Sequence, residues 1–171
     1  MIRLEKFNKN DYPDLIKWID SEEILIQIAG RQMSFPVTEE QLDISQADKN
    51  RNAFSIVDIE TGRSIGHCEL YMLENSAKID RLIIGDPSMK GKGLCGPIIK
   101  LLLVHGFNEL NQEMIELNVF DWNTAAIRCY ERAGFMKNPG KTMEFGVKEG
   151  KKWIAFNMYI DKKTFENLSL K

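Results

Sequence analysis

The hydrophobic positions of the chain change period several times, and each change predicts an element. "IRLEKF" alternates and predicts a first strand. In "NDYPDLIKWID", Leu15, Ile16 and Ile19 share one helical face, with Asn10 or Asp11 as the cap and Pro13 in the first turn. A second short helix is predicted over Glu22 to Ala29, stopped by Gly30. "RQMSFPV" reads as a loop. Thr38 followed by Gln41 then predicts a capping box for a helix reaching about Asp48.

Period two returns in "AFSIVDI" and "SIGHCELYML", which flank the turn "ETGR", and in "AKIDRLIIG" after "ENS". These three segments predict an antiparallel meander. "DPSMKGKGLCGP" breaks the pattern, and "IIKLLLVHGFNEL" reads as a strongly apolar helix. "MIELNVF" puts Ile115, Leu117 and Val119 on one side of a strand, and "NTAAIRCYERAGF" predicts a helix stopped by Gly134. "KTMEFGV" and "KKWIAFNMYI" form a last hairpin around "KEGK". The order predicts one α/β domain of α+β, mixed-sheet type over residues 1–171, with a largely antiparallel twisted sheet flanked by helices.

Composition narrows the function classes. The chain has 171 residues, 43% hydrophobic and 28% charged, which suits a packed domain. The net charge of −2 gives no sign of a nucleic-acid-binding face. The first residues are too polar for a signal peptide, and the longest apolar run, Leu101 to Val104, is too short for a membrane span. Three cysteines without metal-like spacing (Cys68, Cys95 and Cys129) predict reduced thiols in a cytoplasmic protein. Two histidines, His67 and His105, are too few for a metal cluster.

"GKGLCG", Gly91 to Gly96, carries the candidate chemistry. A Walker A loop fails, because Asp86 stands where the first Gly belongs and Gly93 where Ser or Thr belongs. The dinucleotide fingerprint G-x-G-x-x-G fits letter by letter. However, "GDPSMK" separates Gly91 from the strand end at Ile84, and the strand belongs to a meander rather than to a βαβ unit. A ligand-free connector would carry a needless entropic cost in three glycines. A phosphate at a helix start explains them, with Lys90 and Lys92 adding positive charge.

Over nearly the whole chain the sequence resembles the GNAT N-acetyltransferases, and within them the ribosomal-protein, polyamine and aminoglycoside acetyltransferases. The resemblance rests on two motifs. Lys90-Gly91-Lys92-Gly93-Leu94-Cys95 maps to the loop [Q/R]-x-x-G-x-[G/A], with Lys90 keeping the charge and Cys95 staying small. Asn123, Ala126, Tyr130, Gly134 and Phe135 fit N-x-x-A-x-x-x-Y-x-x-x-G-F. The resemblance implies acetyl-CoA as co-substrate and no metal. It implies a cofactor site made by Leu82, Ile83, Ile84, Lys90, Gly91, Lys92, Gly93, Leu94, Cys95, Gly96, Asn123, Ala126 and Tyr130. It also implies direct attack by a primary amine of a small molecule or a protein N-terminus, Tyr130 as general acid, and a homodimer. The residues leave two alternatives open, a non-catalytic acetyl-CoA-binding module and a dinucleotide-binding protein. Tyr130 itself reads either as the acid or as a core tyrosine beside Ala126 and Ala133.

The base is sought on the meander. With Asn75 and Ser76 as a two-residue loop, Tyr71 pairs with Asp80, and His67, Glu69, Tyr71 and Asp80 share one face. Glu69 and Asp80 are therefore the candidate proton acceptors, against the alternative of a solvated strand face. Cys68, Leu70, Met72, Ile79 and Ile83 fall on the other face with Arg81. Trp18, Phe35, Trp122 and Trp153 are candidates for an acceptor-pocket wall, against the alternative of core aromatics.

Overall fold

The computed structural model describes residues 1–169, and these form two compact units. The first comprises Met1–Met72 and Asp80–Leu94, the second Leu73–Ile79 and the chain from Cys95 onward.

In the first unit, β1 (Ile2–Lys6) pairs antiparallel with β2 (Arg51–Asp58), and β2 with β3 (Ser64–Met72). Between β1 and β2 lie α1 (Tyr12–Trp18), α2 (Glu22–Ala29) and α3 (Glu39–Gln46). Asp11 precedes α1 without a side-chain cap bond, whereas α2 and α3 are capped. Ser21 accepts the Ile24 N–H and Thr38 accepts the Gln41 N–H. Gly30, at φ 60°, ends α2. The capping box at α3 is half made. The Gln41 side chain turns to Ser34 N–H and Pro36 O, stitching down the loop before the helix. The apolar faces of α1 to α3 bury Leu15, Leu25, Ala29 and Leu42 with Phe7, Tyr12 and Ala53 in one core.

β4 (Ser76–Ile84) passes from the second unit into the first between Ile79 and Asp80. In the second unit it pairs in parallel with β5 (Met114–Phe120), from Ser76 opposite Met114 to Ile79 opposite Leu117. β5 pairs antiparallel with β7 (Lys152–Asp161), which pairs antiparallel with β6 (Met136–Gly146). The sheet order is β1-β2-β3-β4-β5-β7-β6, the mixed sheet expected from the sequence. Around it run α4 (Cys95–Val104), α5 (Thr124–Arg132) and α6 (Lys162–Ser169).

Three elements differ from expectation. The apolar helix ends at Val104 instead of Leu110, and His105–Glu109 makes a wide turn closed by Leu110 N–H to His105 O. β6 begins at Met136, with a register irregularity between Lys137 and Thr142. α6 was not expected, because β7 runs into it without a glycine or proline. Asp161 caps it by accepting the Thr164 N–H, and Phe165 stacks on Phe107. Among the described residues no helix is long and apolar enough to cross a membrane.

Candidate active site

The hairpin turn after β3 sits one residue earlier than expected. Leu73 N–H bonds Ser76 O, closing a loop of Glu74 and Asn75. That moves the pairing by two positions, and a shift of two leaves the faces of the strands unchanged. The expected face is therefore kept, but it is not solvated. His67 and Glu69 are each 1% exposed, and Asp80 is 9% exposed.

Arg81 departs from expectation. It has φ 48°, a left-handed conformation in the middle of a strand. This breaks the alternation, and the side chain joins the Glu69 cluster instead of the apolar face. Arg81 Nη1 donates to Glu69 Oε1 at 3.3 Å and to Ser45 Oγ at 2.6 Å. Arg51, opposite Tyr71 on β2, places Nη1 against Glu69 Oε2 and 3.8 Å from Asp80 Oδ2. His67 Nε2 lies 3.0 Å from Glu69 Oε1. Gln32, on the loop after α2, completes the group. Its Nε2 donates to Asp80 at 2.9 Å, and its Oε1 accepts from Arg51 Nη2 and Arg81 Nη2, each at 3.3 Å.

Burial pushes the Glu69 carboxyl up, but the hydrogen bond and charge of His67 and the charges of Arg81 and Arg51 outweigh it and lower the group to about 2. A carboxyl whose folded pKa is depressed stabilises the fold fully above its unfolded value, and loses that contribution as pH falls through the folded value. Glu69→Gln is therefore expected to lower the unfolding free energy at neutral pH by about 3–5 kcal/mol, the usual effect of breaking a buried ion pair. In urea titrations the gap to the wild type should close as pH falls from about 4.5 toward about 2. A gap that does not change with pH would show that the Glu69 charge does not hold the cluster.

Beside this cluster opens a cavity of about 420 Å³, lined by Gln32, Met33, Gln41, Ile44, Ser45, Asp48, Arg51 and Arg81. None of the four expected aromatics lines it. Trp18 lies against Gly85, where a Cβ would run into the indole ring. Trp122 and Trp153 pack on each other, ring centroids 5.0 Å apart, and both on Phe120. Phe35 is exposed.

Leu82, Ile83 and Ile84 form the half-buried end of β4. Lys90 to Leu94 follow as a loop in which Gly91 and Gly93 have φ 76° and 73°. Open space lies where either glycine would carry a side chain. Lys90 and Lys92 are exposed, and Lys92 Nζ reaches the Met89 sulfur at 3.7 Å.

In the second unit, Cys95 and Gly96 open α4 instead of belonging to the loop. Asn123 caps α5, accepting the Ala126 N–H at 3.3 Å, and Ala126 is half-buried. Tyr130 is buried, its ring 6.0 Å from that of Phe135, and burial pushes its phenol up to about 12. Cys95 and Cys129 are joined in a disulfide, with Cα atoms 6.4 Å apart. This corrects the expectation of three reduced thiols. The packing of α4 on α5 pairs two of them and leaves Cys68 free and buried, so the thiol argument for a cytoplasmic protein loses its premise. The disulfide closes a separation of 34 residues. Reduction is expected to cost about 2–4 kcal/mol of stability. A melting temperature that falls with reductant in the wild type, but not in the Cys95→Ser/Cys129→Ser double variant, is the expected result.

A GNAT acetyltransferase domain model matches residues 2–136. The chain belongs to the GNAT acetyltransferase family. An N-acetyltransferase 9-like protein of Nematostella vectensis is 19% identical over 98% of this GNAT chain and 86% of its own length. A solved spermidine N-acetyltransferase of Vibrio cholerae, in complex with CoA and spermine, superposes with a TM-score of 0.82 at 24% identity, covering 97% of this chain and 98% of that one. A dodecameric form of that enzyme gives 0.79 at 24% identity over 98% of each chain. The GNAT fold and the N-acetyltransferase activity expected from the sequence both stand.

Proposed function

We propose that residues 1–171 act as one domain that moves the acetyl group of acetyl-CoA to the nitrogen of a small-molecule primary amine by direct attack. The observation that carries this is the glycine loop running into α4, within the stretch that matches the GNAT domain. The loop suits a diphosphate. Gly91 and Gly93 hold left-handed conformations with space above them, the first-turn N–H groups of α4 have no helical partners, and Lys90 and Lys92 add positive charge.

In this proposal Leu82, Ile83 and Ile84 offer backbone groups to the pantetheine arm, and a backbone N–H polarises the thioester carbonyl. Asn123 and Ala126 flank the arm. Asp80 takes one proton from the acceptor ammonium, directly or through water, and later returns it to solvent. The freed nitrogen lone pair attacks the carbonyl carbon. The C–S bond breaks with its electron pair on sulfur, and the Tyr130 hydroxyl protonates the thiolate. The second proton lost from nitrogen restores the phenol through water. Glu69 serves as the fixed anion that holds Arg51 and Arg81 beside Asp80, since a carboxyl lowered to about 2 is a weak proton acceptor at neutral pH. Self-association into at least a dimer is part of the same proposal, and sedimentation tests it.

Thiol release from acetyl-CoA across a panel of amines, amino acids, polyamines and aminoglycosides tests the reaction. At least one small amine is expected to raise release well above the acceptor-free rate. Asp80→Asn should raise the acceptor KM and flatten the climb of rate with pH. Tight acetyl-CoA binding with release above background for no acceptor would make the chain a binding module.

A further inference from the structure

The Gln32 carboxamide is bound as a small ligand would be. Its side chain is exposed, yet it closes over three charged groups whose side chains are buried. Two guanidinium groups, Arg51 and Arg81, converge on its single neutral oxygen, and a carboxylate, Asp80, accepts from its nitrogen. The network fixes this orientation, because the flipped amide would set N–H donors against two cations. A neutral oxygen accepts from two guanidiniums without offsetting their charge, whereas a carboxylate adds a counter-charge and a second acceptor oxygen in fork geometry. Both arginines are more than nine-tenths buried and line the cavity, and the Nε–H of each has no hydrogen-bond partner.

Charge selects the ligand further. Arg51 and Arg81 match the carboxylates of Glu69 and Asp80 one for one. A polycation would bring its charge against two guanidiniums. A zwitterion keeps the balance, its carboxylate taking the place of Oε1 and its ammonium the place of Nε2.

We infer that the cavity binds an α-amino acid in place of the Gln32 carboxamide, with the carboxylate on Arg51 and Arg81 and the α-ammonium on Asp80. This rests on the proposed acetyl transfer for its chemistry, because it names the acceptor of that reaction. The ligand side chain would lie along Met33 and Ile44, with Asp48 and Gln41 on the same walls.

The full-length chain is assayed for thiol release from acetyl-CoA with the L-α-amino acids, their carboxamides, their decarboxylated amines and spermidine. At least one amino acid is expected to exceed its own carboxamide and amine by ~10²-fold or more in kcat/KM, because the amine leaves buried donors unpaired and the carboxamide lacks the counter-charge. Gln32→Ala, at an exposed position, removes the competing side chain and should lower the KM for that amino acid several-fold. Arg81→Lys should raise it at least tenfold, a larger rise than for the carboxamide. Equal or better use of spermidine or the amines overturns the inference while leaving acetyl transfer intact. If acetyl-CoA binds and no acceptor releases thiol, the transfer reading fails. Calorimetry of the amino acids against the CoA-loaded chain then decides the cavity: binding that tightens in Gln32→Ala upholds it, and no binding overturns it.

Discussion

Gly93→Glu is expected to abolish acetyl-CoA binding, with an affinity at least ~10²-fold below the wild type in calorimetry. Two effects combine. Gly93 sits at φ 73°, where any residue with a Cβ is strained by about 1–2 kcal/mol. The added carboxylate would also stand in the open space above the loop, against the phosphates that the proposal places there. Gly93→Ala separates the two, since it carries the strain without the charge and should lose far less. NAD is expected to bind neither variant nor the wild type. Wild-type acetyl-CoA affinity in Gly93→Glu would move the diphosphate away from this loop.

Tyr130→Phe is expected to lower kcat by ~10²–10⁴-fold, the usual contribution of a positioned general acid. Acetyl-CoA affinity should change little, because the ring and its burial remain. Burial lifts the phenol to about 12, so it keeps its proton through the physiological range and the alkaline limb of the rate profile should not report it below that value. Rapid-quench measurement of the chemical step checks the effect. An unchanged rate for that step would return Tyr130 to a packing role beside Phe135.

The sequence and the structure agree where local chemistry decides the outcome. Asn123 and Thr38 cap the helices that their spacing predicts, Gly30 ends α2, and the strand alternation puts Glu69 with Asp80. The glycine loop and the α5 motif were legible because they depend on residues close in the chain. What escaped depends on tertiary placement or on a conformation that the residue type does not announce. A left-handed arginine in a strand has no sequence signature, so alternation alone puts Arg81 on the wrong face. The Cys95–Cys129 disulfide needs α4 packed on α5, which spacing alone does not show. Gln32 belongs to a loop, and its three partners lie on β2 and β4. α6 did leave a signal in Asp161 followed by Phe165 and Leu168, but it was masked by a strand that enters the helix without a break.

Acetyl-CoA labelled in its acetyl group distinguishes direct transfer from thioester to amine from transfer through the protein. The label is incubated with the full chain and a turned-over amine, and its fate is followed by mass spectrometry of the small molecules and of the intact protein. Label is expected on the nitrogen of the acceptor, in one-to-one ratio with released thiol, and none on the protein at any time. Label trapped on a protein side chain during turnover, or left on the thioester while CoA stays bound, would contradict it.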